Sequence, residues 1–270
     1  MISKIAVIGF GNIAKAIITP LFDKKLLNPE DVYCLVNTKK SLENIKKNYK
    51  YDINIFQANS KDSEIIWDCQ VKLLSVKPQQ LKNIVELNKN QNSRNLLVCI
   101  LAGVSLENLI KKFPNHKCVR IVTNIPITIG KGLTGIAWGD EITLDQKKLI
   151  KRLFETSSKI YEFPEYLLDI FLALTSSGPA IIALIIEALS DGGLSGGLQK
   201  QLSEELVMEM ILGTVSLIKD TNLTTAELKN MVTSPGGTTI SALRVLENKS
   251  LRSALIEAVI SASNRSKEFS

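Results

Sequence analysis

Over its first 163 residues the chain alternates between two hydrophobic periods. Short apolar blocks read as buried strands: Lys4 to Ile8, Val32 to Val36, Val71 to Val76, Leu96 to Leu101 and Cys118 to Val122. Between them, apolar residues recur at helical spacing in Ala14 to Phe22, Ser41 to Tyr49 and Leu106 to Phe113, and Pro78 opens a further helix. Gly132 to Trp138 predicts one more strand, followed by a helix over Leu144 to Thr156 and a short strand near Ile160. Strands that alternate with helices predict a mostly parallel sheet covered on both faces, the α/β Rossmann arrangement.

The pattern changes near Pro164, after which no strand is expected. Helical spacing continues through Leu167 to Leu174, Ala180 to Leu189, Leu202 to Ile218 and Ser250 to Ala262. The pairs Gly192-Gly193 and Gly196-Gly197 are expected to break two of these helices apart. Ala180 to Leu189 is apolar on nearly all sides, which suits a deep core or a subunit interface. The expected organisation is therefore an α/β domain over 1–163 and an all-α domain over 164–270, the second a candidate dimerisation domain.

Composition narrows the class. The 270 residues are 45% hydrophobic and 22% charged, an ordinary globular mixture. No apolar run reaches the roughly 18 residues of a membrane span, and no basic-then-apolar leader opens the chain, so a cytoplasmic protein is expected. Cys34, Cys69, Cys99 and Cys118 lie far apart without a C-x-x-C pair and read as buried free thiols. The net charge of +6 comes from lysines spread along the whole chain, not striped with aromatics, which argues against a nucleic-acid partner. His116 is the single histidine. A Ser-His-Asp triad would have to use it, a multi-histidine metal site is excluded, and a structural or surface role is expected. No metal is expected.

Two turns carry the candidate chemistry. Gly9-Phe10-Gly11-Asn12-Ile13-Ala14 matches G-x-G-x-x-[GA] between a strand and a helix, where that pattern binds dinucleotides. Gly9 permits the tight turn, Gly11 lets the backbone approach a pyrophosphate, and Ala14 allows close helix–strand packing. The competing reading is a tight turn without a ligand. The second strand ends in Asn37-Thr38-Lys39-Lys40, with two cations and no acid for a ribose 2′-hydroxyl. That favours NADP(H), with NAD(H) left open. The second turn, Ser234-Pro235-Gly236-Gly237-Thr238-Thr239, precedes a helical run. Its glycines and hydroxyls suit either an anion nest for a carboxylate or an ordinary capped helix start, and physics alone leaves the two level.

Ser234 to Thr239, followed by Ile240 and Arg244 to Glu247, resembles a block of the pyrroline-5-carboxylate reductase family. The resemblance covers the whole chain: Gly9 to Ala14, Val76-Lys77-Pro78-Gln79, Ala102-Gly103-Val104, Ser177-Gly178-Pro179-Ala180, Glu227-Leu228-Lys229 and Glu257-Ala258 all have counterparts. It implies reduction of 1-pyrroline-5-carboxylate to L-proline, the last step of proline synthesis, by a homodimer that can assemble further into rings. It further implies cofactor contacts from Gly9, Phe10, Gly11, Asn12, Ile13, Ala14, Asn37, Lys39, Asn59, Val76, Lys77, Pro78 and Ala102. Glu165, Ser234, Gly237, Thr238 and Thr239 would line the substrate pocket, with Thr239 on the imine nitrogen. Lys77 has a second reading as a general acid. The chain departs from the family where Val122-Thr123-Asn124-Ile125-Pro126 replaces M-P-N-T-P, at Ile181, at Thr224-Thr225 and at Asn230. Those changes keep two alternatives open: a non-catalytic NADP(H)-binding paralogue with a regulatory role, and a reductase of another cyclic imine.

Overall fold

A computed structural model describes residues 4–88 and 95–268. The strands are β1 (Ile5–Ile8), β2 (Val32–Val36), β3 (Asn54–Gln57), β4 (Val71–Leu74), β5 (Leu96–Cys99), β6 (Lys117–Thr123), β7 (Gly132–Trp138) and β8 (Ser158–Glu162). The helices between them are α1 (Asn12–Asp23), α2 (Lys39–Asn48), α3 (Ile65–Asp68), α4 (Leu81–Leu87), α5 (Leu106–Lys112) and α6 (Leu144–Glu155). Then follow α7 (Leu168–Thr175), α8 (Gly178–Ser195), α9 (Lys200–Thr221), α10 (Thr225–Met231), α11 (Thr238–Asn248) and α12 (Leu251–Lys267).

The eight strands form one sheet in the order β3-β2-β1-β4-β5-β6-β7-β8. All pairs are parallel except β6 with β7. Chain order reverses between β1 and β4, which creates the crevice where open α/β sheets bind ligands. The central strands are buried on both faces. One core layer takes Ile5, Val7, Leu73 and Val98 with α1 and α6; the other takes Ala6, Ile8, Leu74 and Leu97 with α4 and α5. Strand β3 escaped the sequence reading, because its four half-buried residues, Asn-Ile-Phe-Gln, carry too little apolar signal.

Several buried polar side chains of this unit are hydrogen-bonded, and His116 is not. The Arg120 guanidinium, on β6, is 1% exposed and donates to Glu165 Oε1 at 3.0 Å and Asp169 Oδ1 at 2.8 Å. Ser266, near the end of α12, donates to the same Asp169 oxygen at 2.8 Å. Asn124, in the departed 122–126 segment, is buried. It accepts from the Leu133 N–H at 2.8 Å and donates to the Thr175 carbonyl at 3.1 Å. His116 is 7% exposed with no hydrogen-bond partner on either ring nitrogen. Burial first, and then the Lys72 charge, push its pKa down to about 4. All four cysteines are free and buried, and burial pushes Cys99 and Cys118 up to about 12.

Two compact units result: the chain up to Ser176 together with Ala262 onward, and Ser177–Ser261. Secondary structure changes from strand to helix near residue 164, as the periodicity predicts, but the compact units divide later. The bonds of Arg120 to Glu165 and Asp169 hold the first helical residues in the sheet's unit, and Ser266 brings the last turns of α12 into it.

The helical unit corrects one expectation about glycine. Gly192 and Gly193 do not interrupt a helix but lie inside α8; Gly196 and Gly197 end it. A Cβ on Gly193 would stand 2.2 Å from Ser203 Oγ, so this glycine lets α9 approach α8. Ser203 Oγ donates across the contact to the Ser190 carbonyl at 2.8 Å. A second expectation changes too. An 18-residue window within the helical stretch Glu165–Ser195 has a mean hydropathy of 1.9, so the stretch is long and apolar enough to cross a membrane by length and composition alone, and 11% of that window is buried. Asp169 and the hydroxyls at 175–177 break the apolar run without lowering that mean enough to exclude a span.

Candidate functional site

The nucleotide turn sits where β1 meets α1. The Gly9 N–H donates to the Leu35 carbonyl at 2.9 Å, and the Ser75 N–H donates to the Ile8 carbonyl at 2.8 Å. These bonds draw three strand ends together. Gly9 has φ +88°, and a Cβ there would stand 2.7 Å from the Ser75 carbonyl oxygen. Only glycine fits. Gly11 is the N-cap of α1 and has nothing within 4 Å of where a Cβ would be. That missing Cβ opens a cradle before the first-turn N–H groups of Asn12 and Ile13, which have no intrahelical acceptor and lie at the positive end of the helix dipole. Ala14 is fully buried against the core. A dinucleotide pyrophosphate fits such a cradle.

A cavity of about 940 Å³ opens in front of the turn. Among the residues expected at a cofactor, Gly9, Phe10, Gly11, Asn37, Asn59, Val76 and Lys77 line it. Asn12, Ile13, Ala14, Lys39, Pro78 and Ala102 are not in its wall. Asn59 adopts φ +67°, which turns the chain after β3 toward the cavity. Pro78 opens a 3-10 turn in which the Lys77 N–H donates to Gln80 Oε1 at 3.2 Å. Lys39 points to solvent and lies 3.9 Å from the Glu43 carboxylate.

Several wall residues escaped the sequence reading, Lys15, Ser41, Asn44 and Gln80 among them. A signal for two of them exists. Thr38 caps α2 by accepting from the Ser41 N–H at 3.1 Å, so Ser41 had to lie in the first turn facing the strand ends. Lys15 falls four residues after Gly11, on the same helix face.

Glu165 is half-buried, and its Oε1 accepts from the Leu106 N–H at 2.6 Å as well as from Arg120. It thus ties the start of α5 to β6.

The second turn belongs to the helical unit. Gly236 has φ +68°, and the Gly237 N–H donates to the Ser234 carbonyl at 3.1 Å. A Cβ on Gly237 would stand 2.5 Å from Ser234 Oγ. Gly237 is the N-cap of α11 and offers no side-chain acceptor to the helix. The first-turn N–H groups of Thr238, Thr239 and Ile240 are therefore presented outward with the positive dipole end, beside the Ser234, Thr238 and Thr239 hydroxyls. A carboxylate is the anion such an array suits. The alternative of a conventional side-chain cap finds no support, since no side chain caps this helix.

Residues 165–269 match the family model described as pyrroline-5-carboxylate reductase dimerisation, and residues 4–103 match that described as NADP oxidoreductase coenzyme F420-dependent. A pyrroline-5-carboxylate reductase from Synechocystis is 38% identical over 98% of this chain and 98% of its own length. One from Arabidopsis thaliana is 32% identical over 99% of this chain and 95% of its own. The crystal structure of Plasmodium falciparum pyrroline carboxylate reductase with NADP bound superposes with a TM-score of 0.86 and 26% identity, covering 98% of this chain and 97% of that one. With both turns intact and full-length likeness on either side of them, this chain belongs to the pyrroline-5-carboxylate reductase family.

Proposed function

We propose that the chain reduces 1-pyrroline-5-carboxylate to L-proline with NADPH as the preferred donor. The observation that carries the reading is the uncapped start of α11 at Ser234 to Thr239, within a chain 38% identical to a named reductase over 98% of its length.

The substrate is a five-membered ring with a C=N bond and a carboxylate. Reduced nicotinamide supplies a hydride to the ring carbon. The nitrogen takes a proton, and the C=N bond becomes a C–N single bond. Placing one carbon against a nicotinamide face is an orientation problem, and the protein's residues address it by holding each partner in place. The Gly9 to Ala14 turn holds the pyrophosphate on the start of α1, and the strand ends at Asn37, Asn59 and Val76-Lys77 wall the nucleotide. The N–H groups at the start of α11 and the Ser234 and Thr238 hydroxyls hold the substrate carboxylate. Thr239 Oγ1 hydrogen-bonds the ring nitrogen, and solvent supplies the proton. Lys77 acts through its backbone, which Gln80 fixes.

The exposed apolar helices support a homodimer. Leu184 on α8 is 65% exposed and Leu212 on α9 is 58% exposed. A single chain gains nothing from leaving such residues in water. The buried free thiols fit a reducing, cytoplasmic setting.

The assay follows the loss of nicotinamide absorbance when purified protein meets NADPH and 1-pyrroline-5-carboxylate. Turnover with proline as product is expected, slower with NADH. Turnover confined to a six-membered cyclic imine would give the chain a different substrate. NADPH binding without turnover of any imine would make it a non-catalytic binding protein.

A further inference from the structure

The cavity wall carries two cations, Lys15 and Lys77, and among the described residues neither is in a salt bridge; Lys77 stands in the turn after β4, whereas Lys15 stands at the start of α1. Lys15 lies in the first turn and a half of α1, half-buried. Its ammonium nitrogen lies 6.0 Å from the centroid of the Phe10 ring and 5.9 Å from that of the Tyr49 ring. Both rings are held firmly. They meet edge to face at 5.0 Å and 83°, and the Tyr49 hydroxyl is 2.8 Å from Thr19 Oγ1. Burial pushes the Tyr49 phenol up to about 12, so the ring stays neutral at physiological pH. Two aromatic faces thus attract the ammonium without neutralising it. Among the described residues no carboxylate pairs with Lys15. The carboxylates in the wall, Glu64 and Glu86, come from the β3–β4 connection and from α4. Lys39, the cation the sequence offered for a 2′-phosphate, is outside the wall and beside Glu43.

The fold offers two phosphate positions. The pyrophosphate belongs to the N–H groups at the start of α1, and the ribose 2′ position belongs beside the end of the second strand. That strand ends at Asn37, and Ser41 and Asn44 of α2 carry the same wall onward. Lys15 lines the same cavity as Asn37 and Ser41. We propose that Lys15 receives the 2′-phosphate of NADP(H), together with Asn37 and Ser41, and sets the preference for NADPH over NADH. The proposal rests on the dinucleotide reading given above.

The test measures NADPH and NADH dissociation constants on the full chain by nicotinamide fluorescence, with circular dichroism confirming the fold of each variant. Lys15→Met should weaken NADPH about 10- to 100-fold, the range of a charge-assisted hydrogen bond to phosphate. NADH should stay within about twofold, and Lys15→Arg should restore most of the NADPH affinity. Lys39→Met should change NADPH affinity by less than about threefold, as expected of an exposed cation. Equal weakening of both nucleotides would move Lys15 to the pyrophosphate and overturn the assignment. Unchanged NADPH affinity in Lys15→Met, or a large loss in Lys39→Met, would overturn it as well. Wild-type protein that binds neither nucleotide would instead overturn the dinucleotide reading, and the proposal with it.

Discussion

The sheet unit and the helical unit treat their apolar residues in opposite ways. In the sheet, β1, β4 and β5 are buried at every position, and even Arg120 and Lys72 are enclosed. In the helical unit, α8 and α9 each bury a single residue, Ser190 and Ser203, while leucines and methionines along them stay exposed. The first unit completes its core within one chain. The second has the composition of a core and the exposure of a surface, so its stability depends on what covers it. A nucleotide site can be built on the first without a partner.

The largest expected effect sharpens the first half of that comparison. Arg120→Met leaves Asp169 buried with only Ser266 as a donor. It should cost about 3–5 kcal/mol in urea unfolding, the usual result of removing one member of a buried ion pair. Arg120→Met with Asp169→Leu should recover much of that loss. If the single variant unfolded like wild type, the sheet unit's polar interior would be incidental to its stability.

The second prediction tries to break the other half. Leu184→Glu with Leu212→Glu places charges on the exposed faces of α8 and α9. Light scattering should show dimer dissociation shifted by about 100-fold or more, since an unpaired charge in an interface is costly to desolvate. NADPH affinity should hold within about twofold. A dimer that survives both charges would mean that other surfaces join the copies.

The third concerns chemistry in the helical unit. Thr239→Val keeps shape and removes the hydroxyl, so kcat/KM should fall about 100-fold with NADPH binding unchanged, in keeping with loss of a group acting on the transferred proton. A fall of less than twofold would remove Thr239 from the mechanism.

The smallest effect returns to the sheet. The folded pKa of His116 is depressed to about 4 from an ordinary 6.5. Between those values the unfolded chain binds the extra proton, so stability falls as pH drops through that window and is complete above it. Chemical denaturation at pH 7 and pH 4.5 should show His116→Phe losing on the order of 1–2 kcal/mol less than wild type on acidification. Equal losses would mean His116 is protonated inside the fold.

The same contrast explains what could be read from the sequence. Strands buried on both faces are written as continuous apolar runs, so β1, β2, β4, β5 and β6 were visible, and the glycine pattern marked the turn between β1 and α1. Edge strand β3 was invisible because half-buried positions carry mixed residues. Gly192 and Gly193 misled because close helix packing and helix termination call for the same residue. At the site, the motif marked the backbone cradle, whereas the walls came from side chains far apart in sequence: Lys15, Ser41, Asn44 and Gln80. Lysines are common throughout the chain, so the sequence did not mark out Lys15 and pointed to Lys39, and it is the cavity that brings Lys15 in and leaves Lys39 out. In the helical unit the hydroxyls and glycines of 234–239 were legible, but the sequence could not tell an anion nest from a capped helix start, and α11 lacks the side-chain cap that the second reading needs.

The proposed function divides labour between two turns, giving the cofactor to Gly9 to Ala14 and the substrate to Ser234 to Thr239. Gly237→Ala tests it most directly, because the added methyl group would meet Ser234 Oγ at 2.5 Å and reshape only the second turn. The account predicts that the KM for 1-pyrroline-5-carboxylate rises about tenfold or more, while the NADPH dissociation constant stays within about twofold. An unchanged KM, or NADPH affinity lost together with substrate affinity, would contradict it.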